Sequence, residues 1–218
     1  MKNNFKTILL IIFIFLPLLI TLLSLNYLPD TIPVHYGFNG QVNRWSSKYE
    51  ALIIPIIGII ICLISLVSTS YLAKKSKYKD NTKSLNVCNI VLILIFNVLA
   101  ISFLISYFKT ITNISNEFSF KLIFVALGII FVIIGNYLPK CKRNNFIGIR
   151  TTLTLSSDDI WFKTHRFGGK VFVIFGIAVA ISSLFIPGNM LSPVFVISLI
   201  IVTIILTIYP KKLVNKKN

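Results

Sequence analysis

Apolar runs of roughly twenty residues alternate with polar intervals along this chain, and six emerge, near residues 7–27, 51–73, 86–108, 120–138, 170–187 and 193–210. A helix rises about 1.5 Å per residue, so about 20 apolar residues cross the roughly 30 Å hydrocarbon core of a bilayer. The pattern predicts an all-α membrane protein with six transmembrane helices. Pro17 and Pro55 fall inside spans, where a neighbouring helix or a local distortion can absorb the lost hydrogen bond. The first run follows Lys2 and Lys6 and has a signal-peptide look, but its apolar length and its lack of a small-x-small cleavage site predict an uncleaved anchor.

Two intervals between the spans are long. The first, residues 28–50, carries Asn39-Gly40 between short alternating runs (Val34, Tyr36, Phe38, then Val42), a strong hairpin signal because both turn positions favour positive φ. Pro29 and Pro33 fit the entry of such a hairpin and keep it at a sheet edge. His35 has no second His or Cys on its face, which predicts a hydrogen-bonded structural histidine rather than a metal ligand. Trp45 and Tyr49, just before the second span, read as interfacial aromatics.

The second long interval, Leu138 to Lys170, holds seven basic residues and two acids. Ser156 stands three before Asp159 in the spacing of a capping box, and Asp158 and Asp159 suit a first helical turn. Asp159 and Lys163 are then four apart in the favourable order, and Gly168-Gly169 supplies a stop. The expectation is a short interfacial helix with Ile160, Trp161 and Phe167 facing the bilayer or the bundle and Asp159, Lys163 and Arg166 outward.

Composition refines this picture. The chain is 56% hydrophobic with a mean hydropathy of +0.85, as polytopic membrane proteins are. Its net charge of +16 is mainly a topology signal. Eighteen Lys and Arg fall in the amino terminus, the 74–85 and 139–170 loops and the carboxyl tail, against four on the other side (Arg44, Lys48, Lys109, Lys121). The positive-inside rule then places both termini and the basic loops in the cytoplasm, where they meet anionic membrane lipids, with no direct nucleic-acid contact. Cys62, Cys88 and Cys141 form no metal spacing, and no disulfide, zinc site or cofactor is indicated.

Away from their ends the spans hold no Asp, Glu, Lys, Arg or His, which counts against an ion-coupled pump. Thr21, Ser24, Asn97, Ser102, Ser106, Ser182 and Ser183 suit helix-to-helix hydrogen bonds, and Asn97, an amide in mid-span, needs a partner. No HExxH, G-x-S-x-G or glycine-rich phosphate loop is present. The one acid, base and hydroxyl cluster, Ser156, Ser157, Asp158, Asp159, Thr164 and His165, is largely explained by capping. His165 lies one helical turn from Trp161, where packing is the default. The chain reads as a non-enzyme.

Asn-Tyr-Leu-Pro occurs at 26–29 and again at 136–139. Each copy ends the first span of a three-span half, 1–109 with the outer loop 28–50 and 110–218 with the cytoplasmic loop 139–169. Three spans per half would make the halves inverted repeats, an architecture that transporters use.

The run NNFIGIRTTLTLSSDDIWFKTHRFGGKVFVIFG resembles the signature of the SdpI family of bacterial integral membrane proteins, whose namesake is an immunity protein against a secreted toxin peptide. The matching positions are Asn145, Gly148, Arg150, Thr151, Thr154, Leu155, Ser156, Trp161, Thr164, His165, Arg166, Gly168, Gly169 and Lys170, with Gly176 in the next span. Thr152-Leu153 stands where the family usually has Pro-Trp. The pattern LPxxIPxHxxxxG (Pro29, Pro33, His35, with Asn39 and Gly40 in its loop) resembles a domain of unknown function often found at the amino end of SdpI-like proteins. The resemblance implies a cytoplasmic-membrane immunity protein whose partner is a secreted peptide toxin. It also implies a second role, in which the occupied protein captures a winged-helix transcriptional repressor on its cytoplasmic face. A transporter of small molecules or peptides, built from inverted halves, is the alternative.

Overall fold

The computed structural model describes residues 2–39, 41–75, 81–108 and 116–215. Among these residues, six helices are long and apolar enough to cross a membrane. They are α1 (Lys2–Ser24), α2 (Ile53–Ala73), α3 (Thr82–Tyr107), α4 (Asn116–Tyr137), α6 (Asp158–Phe185) and α7 (Gly188–Asn215). A short helix, α5 (Thr152–Ser156), precedes α6, and an antiparallel pair, β1 (Thr31–Tyr36) with β2 (Val42–Ser47), follows α1. The chain is a multi-pass membrane protein. Its helices leave Ile60, Ile64 and Val67 of α2 and Ile197, Ile200 and Ile204 of α7 exposed, an apolar surface that suits hydrocarbon and not water.

α3 packs on α1, α2 and α4, and the most extensive helix contact joins α4 to α6. The α1–α3 contact is locked by a backbone defect. Pro17 has no N–H to give to the carbonyl four residues earlier, which is that of Phe13. Asn97 Nδ2 supplies the missing donor from α3, 2.9 Å from the Phe13 oxygen, and also bonds its own Ile93 carbonyl at 2.8 Å. The mid-span amide therefore has the partner that its position demands. Asn97→Leu is expected to cost about 1 to 2 kcal/mol by leaving the Phe13 carbonyl unpaired in apolar surroundings. Adding Pro17→Ala restores an intrahelical donor and should recover most of that loss in thermal unfolding of the detergent-purified protein; no recovery would sink the pairing.

The hydroxyls of the spans depart from expectation. Thr21 donates to the Pro17 carbonyl at 2.7 Å, Ser24 to Ile20 at 2.8 Å, Ser182 to Val179 at 3.4 Å and Ser183 to Ala180 at 2.9 Å, each within its own helix. A hydroxyl on a helix finds its nearest acceptor one turn back, and in an apolar bundle that bond forms first. Bridges between helices come instead from amides. Besides Asn97, Asn89 of α3 accepts from Ser65 of α2 at 2.6 Å and donates to Thr69 at 3.1 Å.

The hairpin docks on the carboxyl end of α3. Ile32 is wholly buried among Leu28, Ala51, Leu104 and Tyr107, and Tyr36 Oη shares a hydrogen bond with Ser106 Oγ. Ion pairs Lys48–Asp30 (3.0 Å) and Arg44–Glu50 (2.9 Å) brace its base. Pro33 sits in β1 opposite Trp45, at the edge of the two-stranded sheet, as a residue without an N–H must. The turn is wider than two residues: Tyr36 pairs with Val42, Gly37 N–H donates to the Gln41 carbonyl at 2.8 Å, and Asn39 Oδ1 accepts from Gln41 N–H at 3.1 Å. Register irregularities on both sides of His35 break the alternation, so Phe38 leaves the strand and is exposed. Gly40 lies outside the described residues.

Candidate functional site

At the bundle end opposite the hairpin, the chain between α4 and α6 folds into a knot. A 3₁₀ turn, Leu138–Lys140, ends α4, and Asn144 then organises the loop. Its buried side chain accepts from the N–H groups of Phe146 (2.7 Å) and Ile147 (2.8 Å) and donates to the carbonyls of Lys142 (2.8 Å) and Ile147 (3.2 Å). All the hydrogen-bonding capacity of one amide is spent on closing this loop. Asn81, from the start of α3, accepts from the Lys142 N–H at 2.8 Å, so the two basic intervals meet on this face.

Gly148 turns the loop back onto α6. Its φ of +113° is one that side-chain-bearing residues rarely adopt, and a Cβ there would strike His165 Nε2. The next residue, Ile149, donates its N–H to His165 Nε2 at 3.0 Å, while His165 Nδ1 donates to the Trp161 carbonyl at 2.8 Å. These two bonds specify a neutral imidazole and use both of its nitrogens, which leaves no free lone pair for acid–base chemistry. The ring is fully buried and stacks on Trp161, with centroids 3.9 Å apart and planes 20° from parallel. Trp161 in turn donates its indole N–H to the Cys141 carbonyl at 2.7 Å. Burial pushes the Cys141 thiol above the usual cysteine range, against a smaller opposing effect of its hydrogen bond with Ser84.

The helix starts differ from the sequence expectation. Thr151, not Ser156, forms the capping box: its hydroxyl accepts from Thr154 N–H at 3.1 Å while Thr154 Oγ1 accepts from Thr151 N–H at 2.8 Å. Thr154 Oγ1 also donates to the Ile149 carbonyl at 2.8 Å, tying α5 to the loop. Ser156 is exposed and donates to the Leu153 carbonyl at 2.8 Å, and Ser157 takes the N-cap place of α6. No stop occurs at Gly168-Gly169, because α6 runs unbroken from Asp158 to Phe185. The interfacial helix is the first half of the fifth span. Both glycines lie where neighbours come too close for a side chain, Gly168 under Ile149 and Gly169 against the Gly135 carbonyl and Pro139.

The expected facing is otherwise present. Ile160 and Trp161 are buried, Phe167 stacks on Tyr209 of α7 (4.0 Å between centroids), and Asp159 and Lys163 pair at 3.0 Å on the outside. Arg143 holds Asp158 at 2.7 Å and donates to the Leu155 carbonyl. Arg150 is exposed, its guanidinium donating to the Asn145 carbonyl, and Arg166 is exposed on α6. Thr164 is fully buried, and its hydroxyl has no partner among the described residues.

Residues 140–210, the knot and the two helices after it, match the SdpI/YfhL protein family, and residues 12–59 match DUF1648, a domain of unknown function. Immunity protein SdpI of Bacillus subtilis is 29% identical over 212 residues, spanning 95% of this chain and 97% of that protein. Over residues 140–210 the chain is similar to the SdpI family. An uncharacterized protein of Archaeoglobus fulgidus is 40% identical over 48 residues, 22% of this chain and 26% of its own length. No solved structure matches at a significant level.

The SdpI signature thus divides in two. Gly148, Thr151, Thr154, Trp161, His165, Gly168 and Gly169 build the knot, while Asn145, Arg150, Ser156 and Arg166 stand on its surface. The DUF1648 residues lie at the other end of the bundle. Pro33 is buried there, Pro29 is half-buried, and His35 is exposed with Nδ1 2.6 Å from Asn43 Oδ1, the hydrogen-bonded state expected of it. Asn144, Asn81 and Arg143 escaped the sequence reading. The signal for Asn144 was its place two residues before a Phe-Ile-Gly turn, where an Asx side chain caps backbone N–H groups.

Proposed function

We propose that this protein is an integral membrane immunity factor that protects its cell from a secreted peptide toxin. The observation that carries the reading is identity with an immunity protein along nearly the whole of both chains. We further propose that both termini and the knot face the cytoplasm and the hairpin faces outside. Eighteen of the 22 Lys and Arg support that orientation, as does the Asn81–Lys142 contact between the two basic intervals. On this reading the halves divide the work: the hairpin half (1–109), through the exposed His35 and Asn39 of a hairpin shaped by Pro29 and Pro33, meets the toxin. The knot half (110–218) offers Arg150 and Arg166 to a cytoplasmic partner, a winged-helix repressor held when toxin is bound. Toxin must then favour one arrangement of the knot over another.

Expressed in a toxin-sensitive Gram-positive strain and challenged with a panel of secreted peptide toxins, the protein should protect narrowly. Arg150→Ala should remove protection at normal membrane abundance. Protection from none of the panel, or broad protection from unrelated toxic compounds as a transporter would give, would overturn the reading. Cys141 is too buried to report orientation. Ser156→Cys, at an exposed site, should react with a membrane-impermeant thiol reagent only after the cells are opened.

A further inference from the structure

Under the hairpin, between the facing ends of α3, α4 and α7, lies a cavity of about 260 Å³. Its walls are rings. Tyr36 meets Phe120 edge-on, with centroids 5.2 Å apart and planes at 77°, and tilts against Phe103 at 5.9 Å, while Phe124 adds a further ring to the lining. Four serines border it, Ser102, Ser106, Ser119 and Ser192, and two of them, Ser102 and Ser119, are only 1% and 4% exposed. Neither has a hydrogen-bond partner among the described residues.

That pair, like Thr164 of α6, departs from the usual pattern of the span hydroxyls. Thr21, Ser24 and Ser183 each satisfy themselves on a carbonyl one turn back, the default on a helix. A buried hydroxyl left without a partner is costly, and here two such groups border one space. Size and lining limit what could complete them. An apolar cavity of about 150 Å³ already takes benzene, so this one accommodates a larger ring system together with a polar substituent. Aromatic walls favour an aromatic guest through edge-to-face and offset contacts. His35, exposed on the hairpin, marks the rim as close to the aqueous side.

We propose that this cavity is a binding site for an aromatic ring carrying one hydrogen-bonding group, phenol-like or indole-like. The ring lies among Phe103, Phe120 and Phe124, and its polar group meets the hydroxyls of Ser102 and Ser119. Such a group comes either as a free small molecule or as a tyrosine or tryptophan side chain of an external peptide. The site follows from the cavity and goes beyond the immunity reading.

The test titrates the purified full chain, in lipid nanodiscs, with fluoroindole and separately with N-acetyl fluorotryptophan amide, each followed by fluorine NMR. Saturable one-site binding is expected. Ser102→Ala and Ser119→Ala, which remove only a hydroxyl, should each weaken it roughly 2- to 10-fold, and Ser102→Leu, which fills the cavity, should abolish it. Tighter binding of the free indole identifies a small molecule as the source, and tighter binding of the amide a peptide side chain. The proposal is overturned if neither probe saturates, if Ser102→Leu binds as the parent does, or if both alanine variants bind undiminished. Protection from toxins plays no part in these readouts, so this site and the immunity function stand or fall separately.

Discussion

Gly176→Val is expected to leave little folded protein, the largest loss of any single substitution considered. A Cβ at Gly176 would strike the Gly128 carbonyl oxygen and come within 2.8 Å of Val132 N and 3.0 Å of Phe131 Cβ, all on α4. Carbonyl and amide atoms of a helix cannot turn aside as the end of a flexible side chain can. Seven residues away in each helix the contact repeats, since a Cβ on Gly135 or on Gly169 would lie 2.7 Å from the other's carbonyl oxygen. Two glycines at seven-residue spacing on each helix therefore let the backbones of α4 and α6 touch over two turns. In lipid, helices gain little from hiding apolar surface and associate through such close packing. Overpacking typically costs about 1 to 3 kcal/mol in a deformable core. Here the obstacle is backbone, and relief requires moving the two helices apart along their length. Thermal unfolding and gel filtration of the detergent-purified protein report the outcome, with Gly176→Ala expected between parent and valine variant. A valine variant that elutes and melts like the parent would remove the glycine contact as the organiser of this half.

Much of this architecture was readable because a bilayer imposes a length. Each of the six apolar runs became a helix, with ends close to those expected for five of them. The fifth failed for a local reason. Its first turns carry Ser, Asp, Thr, His and Arg, which look like the exterior of a soluble helix, and Gly168-Gly169 looks like a stop. A glycine inside a helix costs about 1 kcal/mol relative to alanine, but the missing side chain admits a neighbour. Which effect wins depends on whether Gly135 and Pro139 stand opposite, and one helix does not disclose the other. The same blindness covered the hydroxyls. Asn97, a mid-span amide, needs a partner, but that partner is a carbonyl freed by Pro17, a fact about two helices together. For the signature residues, the sequence offered nothing that separates interior from surface. That Trp161 and His165 are buried while Arg150 and Arg166 are exposed follows from the loop folding back at Gly148, a position at which glycine was seen but not its φ.

The knot also makes a prediction about coupling, because Gly148 and His165 occupy one space. His165→Ala should destabilise the protein by about 3 kcal/mol or more. It strands the partly buried Ile149 N–H, at about 1 to 3 kcal/mol, and opens a cavity beside Trp161 where the imidazole was stacked. Gly148→Ala should also be damaging. It forces a residue with a Cβ to φ near +113°, a strain of about 1 to 3 kcal/mol, and drives that Cβ into His165 Nε2. The double variant separates the two components. Once the imidazole is gone the alanine methyl keeps only its 3.1 Å approach to Trp161 Cζ2, so the collision with the ring disappears while the backbone strain and the lost hydrogen bond remain. The combined loss should fall short of the sum of the single losses by at least about 1 kcal/mol, whereas unconnected sites add to within about 0.5 kcal/mol. His165→Gln, which keeps an acceptor but not the ring, should lie between His165→Ala and the parent if its amide reaches Ile149. Strict additivity in the cycle, measured by unfolding in one detergent at one pH, would mean that the loop and α6 are not held together through this ring.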